Sequence, residues 1–302
     1  MPDPLSDVMQ RIRLKGCVYF QREFHTPWAM RIEGTGHAQF HVITRGSCVV
    51  IAQGQCHECA AGDVLFFPRG QKHVLADRSD REPLSGAQVM ASFESGNPCF
   101  AQGGTPTRVI CGHYEYHTNS RHPLLNDLPE LVHVKTMDVL GETSNTAVLP
   151  LIMKELACRR PGQSLIVERY AEALLVHTLR MYYLRSQHPM GFFAGLTDAR
   201  LERAISRIHQ DFSSQIGLTD LAQSAAMSRS AFARHFKQTV NLSPIEYLTT
   251  WRMLVAEDFL KSTDLSIERV AEKVGYESDI SFSRAFKREY GITPSSVRTL
   301  DG

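Results

Sequence analysis

Apolar and polar residues alternate in short runs over roughly 17–118. CVYF, FHVITRG, CVVIAQGQ, DVLFFPRG, HVLAD, AQVMASFE and TRVICGHYEY are strand-length pieces separated by Gly, Pro and Asp, a texture that predicts a β-sandwich or barrel. From His122 the period changes. AVLPLIMKELAC (147–158) and SLIVERYAEALLVHTLRMYYLRS (164–186) place apolar residues at helical spacing, with a break at Arg160-Pro161-Gly162. Helices of this kind pack on the sheet or on a second subunit. QHPMG (187–191) then reads as a linker, with a domain border near 190–197. The remainder, 198–302, reads as all helix, with Pro only at 244 and 294.

That helical part contains a repeat. LAQSAAMSRSAFARHFKQTVNLSP (221–244) matches VAEKVGYESDISFSRAFKREYGITP (270–294), with Phe232 and Phe282, Arg234 and Arg284, Phe236 and Phe286, Lys237 and Lys287 each fifty positions apart. Upstream the offset falls to forty-nine, Ala222 against Ala271, which places one extra residue in the second copy's turn, where a loop tolerates it. Each copy reads as helix, turn, helix. Ser228 and Ser278 are expected N-caps, accepting hydrogen bonds from the open amides of the second helix. The aromatics four apart face a core, which leaves Arg229, Ser230, Ala233, Arg234 and Lys237 free in one copy. Their counterparts in the other are Asp279, Ile280, Ser281, Ser283, Arg284, Lys287 and Arg288.

Composition adds limits. The 302 residues are 43% apolar and 22% charged, which fits globular domains, and the length favours two of them at about 150 residues each. No apolar run approaches the roughly 20 residues of a membrane helix, and the N-terminus lacks a secretory signal, so cytoplasmic residence is expected. Seven cysteines without repeated spacing argue against a disulfide framework. The net charge of +1 gives no bulk argument for nucleic acid. Locally it does: 229–237 and 280–288 hold six Lys/Arg and no acid, while 195–302 as a whole is balanced at fourteen of each sign.

The C-terminal residues from MSRSAFARHFK through SPIEYLTTWRMLVAEDFLKSTDLSIERVAEKVGYESDISFSRAFKREYGITP resemble the DNA-binding domain of AraC/XylS-type transcription regulators over about 198–298. The resemblance implies two helix-turn-helix units, about 218–244 and 267–294, joined by a long helix near 244–260. They would enter successive major-groove segments on one face of double-stranded DNA. By position in the motif, Ser230, Ala233 and Arg234, then Ile280, Ser281 and Arg284, would lie near bases. Ala233 and Ile280 have no polar side-chain atoms, so specificity should lean on Arg234 and Arg284. RNA polymerase is an implied partner of an activator, and a homodimer is expected.

The N-terminal half, through LSDVMQRIRLKGCVYF, PWAMRI, FHVITRG, AAGDVLFFPRGQKHVL, ICGHYEY and HPLLNDLPELVHV, resembles the cupin-like sensor domain of a subgroup of these regulators. Gly62, Pro68, Gly70, His73 and Asp77 fit the second cupin motif, with Asp77 where Asn is usual. The first motif is absent and only His41 stands in its place. His41 and His73 are weak metal candidates and a poor catalytic set. No cofactor and no catalysis are therefore expected; the alternative is a metal-dependent cupin enzyme fused to a DNA-binding domain. Cys56-His57-Glu58-Cys59 looks like a chelating motif, but along a strand its two thiols should face opposite ways. Cys17 and Cys111 sit where some relatives carry oxidant-sensing cysteines, which makes a redox-sensing regulator a second alternative. The expected fold is α+β multidomain. A cupin-like β-barrel (1–120) precedes a helical dimerisation or docking segment (121–190) and an all-α tandem helix-turn-helix domain (195–302). A small-molecule effector is the first expectation for the signal.

Overall fold

The computed structural model describes residues 3–116, 122–135, 144–158, 160–185 and 191–300. Ser186 and the expected linker residues 187–190 lie outside them. The chain separates into two compact units: Lys15–Glu115 with Leu128–Arg185, and Met1–Leu14 with Tyr116–Asp127 and Ser186–Gly302. This division does not follow the chain borders read at 120 and 190–195. The first helix, α1 (Pro4–Ile12), is capped by Asp3 and buries Leu5, Val8 and Ile12 against the C-terminal helices. Nothing in a nine-residue amphipathic segment names the surface it will cover.

The sheet unit holds β1 (Lys15–His25), β2 (Ala29–Ile32), β3 (Ala38–Arg45), β4 (Ser47–Ala52), β5 (Gln55–Ala60), β6 (Val64–Phe67), β7 (His73–Ala76), β8 (Leu84–Ser85), β9 (Pro106–Glu115) and β10 (Val132–Val134). They form two five-stranded sheets, ordered β1-β9-β3-β6-β10 and β5-β4-β7-β2-β8. Pairing is antiparallel except for the short β2–β8 contact. The inward residues Phe24, Trp28, Ile43, Val50, Phe67 and Leu75 build a closely filled core between them. Gly70 stands at φ +59, and a Cβ there would lie 2.0 Å from the His37 carbonyl oxygen, so the second-motif turn admits only glycine.

One expected strand is a helix. AQVMASFE falls in α2 (Gly86–Glu94), because Ser85 and Gln88 close a capping box at its start and Val89 occupies the core-facing position. After α3 (Pro123–Asn126), α4 (Ser144–Ala157) and α5 (Gln163–Arg185) realise the two expected helices. Helix α5 lies on β1 where Gly16 has no side chain: a Cβ there would be 2.7 Å from that of Ala171. The buried Tyr114 hydroxyl donates to the Ala171 carbonyl at 2.8 Å and fixes this seating.

The helical unit continues with α6 (Phe192–Thr197), α7 (Ala199–Asp211), α8 (Leu218–Ser224), α9 (Arg229–Val240), α10 (Pro244–Ser262), α11 (Ile267–Lys273), α12 (Asp279–Tyr290) and α13 (Pro294–Leu300). Ser243 and Glu246 form a capping box at the start of the long α10. The turns of the two repeats differ in one telling position. Ala226 (φ +52) and Gly275 (φ +80) both adopt the left-handed conformation. Ala226→Gly is therefore expected to raise stability by about 0.5–1 kcal/mol. Gly275→Ala is expected to cost about 1–3 kcal/mol, since its Cβ would also stand 2.7 Å from the Ser213 carbonyl oxygen. Urea midpoints of the two variants check both signs.

Candidate nucleic-acid interface

Helix α9 begins at Ser228, whose hydroxyl accepts from the Ala231 amide at 3.4 Å, and α12 begins at Ser278, which accepts from the Ser281 amide at 3.2 Å. Both expected caps are present. Phe232, Phe236, Phe282 and Phe286 are fully buried, and within each helix the paired rings lie 5.6 and 5.7 Å apart. With those faces turned inward, Arg229, Ser230, Arg234 and Lys237 are exposed on α9, and Ile280, Ser281, Arg284, Lys287 and Arg288 on α12. Ala233 is half-buried. Among the described residues none of the six cations forms a salt bridge, which leaves their charge uncommitted.

Two details refine the expected contacts. Ile280 is 62% exposed, an apolar group held out among cations. The Ser281 hydroxyl is engaged in the cap: it donates to the Ser278 carbonyl at 2.9 Å and accepts from the Ser278 hydroxyl at 3.0 Å. Reading a base with it would require one of those bonds to break, a point no residue pattern reveals.

Each recognition helix is braced from behind. Asp198 caps α7 and accepts a 2.6 Å bond from His235 of α9, while Arg203 donates to the last carbonyls of α8. Burial opposes ionisation of Asp198, but the His235 bond and two amides outweigh it and hold its pKa well below the carboxylate range. Arg252 of α10 donates to the Phe212 and Ser214 carbonyls at 2.7 and 2.8 Å and lies 5.7 Å over the Tyr276 ring, fixing the second turn.

The same unit contains a buried hydrogen-bond chain. The Leu124 amide donates to His122 Nδ1, so His122 Nε2–H points at the Tyr247 hydroxyl, 3.5 Å away. Tyr247 in turn donates to His209 Nε2 at 2.8 Å, and His209 Nδ1–H faces Asp7 of α1 at 3.4 Å. His209 stacks flat on Trp251 at 3.7 Å. Arg11 and Arg13 add ion pairs to Asp258 of α10, both at 2.7 Å. Residues 3–13 and 122–127 are thus tied to the helix that joins the two helix-turn-helix units.

In the sheet unit His41 and His73 are both buried, with their Nε2 atoms 2.7 Å apart. His73 Nδ1–H donates to the Gln71 carbonyl at 2.7 Å, so its Nε2 is an acceptor and His41 Nε2–H is the donor. His41 Nδ1 then accepts from the Cys111 thiol at 3.0 Å. The two histidines face each other and are hydrogen-bonded through their Nε2 atoms. Burial lowers the pKa of both, His73 to about 4, and raises that of Cys111. Cys111 therefore has the reverse of a reactive thiol's character. Register also separates the cysteines: Cys17 stands opposite His113 and Cys111 opposite Phe20. Cys56 is exposed and Cys59 buried, as strand alternation requires. Asp77 explains its departure from Asn, since its carboxylate takes both Arg81 nitrogens at 2.9 and 3.0 Å as well as the Trp28 amide.

Lowered histidine pKa values make stability acid-sensitive. Unfolded chains bind protons below about pH 6.5 while folded His73 does not until about pH 4, so stability is lost as pH falls through that window. At pH 5 this residue alone accounts for a loss of about 2 kcal/mol relative to pH 7.5, since each pKa unit is worth about 1.4 kcal/mol. Urea titrations at the two pH values measure it, and His73→Gln should reduce the difference by about that amount.

A sheet unit and a helical unit that carries two helix-turn-helix repeats, each with an exposed basic face on its second helix, define a DNA-binding transcription regulator with a cupin-like N-terminal domain. A cupin family model matches residues 3–183 and a helix-turn-helix domain model residues 221–299. The chain belongs to the AraC-like family of transcription regulators. It is 33% identical to an AraC-like transcription regulator of Streptomyces lividans, over 98% of both chains. It is also 27% identical to the HTH-type transcriptional regulator AlkR of Acinetobacter baylyi, over 98% of this chain and 99% of that one. Among solved structures, the C-terminal domain of AraT, a response regulator from Geobacillus stearothermophilus, is 35% identical over 34% of this chain and 85% of that one, with a TM-score of 0.33. No helix among the described residues is long and apolar enough to cross a membrane.

Proposed function

We propose that α9 and α12 read an operator through two major-groove segments, with Arg234 and Arg284 as the principal base contacts. Arg229, Lys237, Lys287 and Arg288 hold phosphates; Ser230, Ala233, Ile280 and Ser281 supply close packing and shape. The observation that carries this reading is that two capped helices, repeated in sequence, each bury their aromatics and expose unpaired cations. Hydroxyl-radical footprinting with the full chain should show two protected segments about 10 base pairs apart on one face of the duplex. A single protected segment would contradict it.

The protein acts in the cytoplasm without catalysing a reaction: His41, His73 and Cys111 are consumed by one another's hydrogen bonds. A small-molecule effector acts on the sheet unit, residues 15–115 together with 128–185. Its signal leaves through chain connections, since β1 follows α1 directly and β9, paired Lys15 to Glu115, leads into 116–127. Residues 3–13 and 122–127 of these connections are held on α7 and α10 of the DNA-binding unit. An effector that shifts β1 against β9 thereby biases how the two helix-turn-helix units are held. Leu151, Leu165 and Ile166 are exposed on α4 and α5, which supports dimerisation through this pair, and an activator of this kind would meet RNA polymerase.

A further inference from the structure

Three potential ligands of the sheet unit converge away from the histidine pair. Cys59 ends β5, Asp63 follows the turn at Gly62, and His133 lies on β10, where it pairs with Leu65 of β6. Their donor atoms all lie within 4.8 Å of one another. Cys59 and Asp63 are each 3% exposed, and His133 Nε2 is 3.0 Å from Asp63 Oδ2, which also accepts from the Ala60 amide. Cys48 stands directly opposite Cys59 on β4, and the two thiols are hydrogen-bonded. Cys48, Cys59 and Asp63 line one wall of an open cleft of about 560 Å³, which gives a cation a route in.

We propose that Cys59, Asp63 and His133 bind a divalent cation of the zinc class, with the Cys48 thiol as fourth donor. The donor set selects the ion. Two sulfurs, an imidazole and a carboxylate suit tetrahedral zinc, with bonds of about 2.0–2.3 Å, and do not suit calcium or magnesium, which take oxygen. Such bonds require donor atoms about 3.3–3.8 Å apart, so the His133–Asp63 pair, now at 3.0 Å, opens slightly around the ion while the thiols close on it. Binding breaks the two S–H bonds, forms two metal–sulfur bonds and releases two protons to the cleft. His133 ligates through Nε2 with its proton moved to Nδ1, and Asp63 binds as carboxylate. The site then carries one net negative charge, which Lys135 on the cleft wall faces. Because Cys48 and Cys59 belong to one sheet and His133 to the other, the cation clamps the two sheets at this edge.

The test uses the purified full chain and the metal alone. Zinc added in excess and then challenged with a chromophoric chelator should remain at one ion per chain. Cys59→Ser and His133→Gln should each weaken retention by at least about 100-fold, more than the 10–100-fold typical of losing a ligand's supporting partner. Cys56→Ser and His73→Gln should retain it. Cobalt in the unmutated chain supplies a readout independent of variant folding. Tetrahedral d–d bands with a thiolate-to-cobalt charge-transfer band, roughly halved in Cys48→Ser, support the site. Zinc lost to a weak chelator, unchanged retention in Cys59→Ser, or cobalt bound without the charge-transfer band overturns it.

Discussion

Replacing Arg234 and Arg284 together by alanine is expected to weaken specific DNA binding by about 2–6 kcal/mol while leaving the helical unit folded. Each bidentate arginine contact to guanine is worth about 1–3 kcal/mol, and the two lie on separate helices, so their losses should add. Both side chains are exposed, and among the described residues neither is in a salt bridge. Binding to random-sequence DNA should fall far less, because phosphate contacts persist. The check is fluorescence anisotropy with a duplex selected from a random pool by the full chain, against a scrambled duplex of equal length. Equal weakening on both duplexes would move these residues from base reading to phosphate contact.

The largest stability effect is expected from the aromatics behind those helices. Phe232→Ala and Phe286→Ala should each cost about 3–5 kcal/mol, the range for emptying a fully buried phenylalanine site. Phe232 packs edge-on against Phe236, which touches Tyr247 of α10, and Phe286 packs against Phe282 and Tyr290. The two losses should appear in the helical unit, with the sheet unit's transition preserved, since α9 and α12 lie in a separate compact unit. Differential scanning calorimetry, with near-UV dichroism of Trp251 for the helical unit, distinguishes these outcomes.

The recognition helices were readable in the residues because every local signal agrees there: serine caps, aromatics at i and i+4, and a fifty-residue repeat. Strand alternation likewise set the Cys56 and Cys59 thiols on opposite faces, as their exposed and buried positions show. What could not be read depends on contacts distant in the chain. AQVMASFE has residues compatible with either period, and the capping box at Ser85 decided for helix. His41 and His73 stood out as histidines, yet the partner that completes their chain, Cys111, lies seventy residues from His41 and reaches it only through the β3–β9 register. Asp7, His122 and His209 carry no motif, and their connection through Tyr247 emerges only when α1 and residues 122–127 settle on α10.

The measurement that bears most directly on the central claim is the salt dependence of that specific complex. If the four cations assigned to phosphates on α9 and α12, Arg229, Lys237, Lys287 and Arg288, all meet them, log K plotted against log salt should fall with a slope of about −3 to −4, because each neutralised phosphate releases nearly one counterion. Removing Lys237 and Lys287 together should make the slope shallower by about 2. A slope near zero, or one unchanged in that variant, would contradict the assignment of these two helices as the DNA-reading surface.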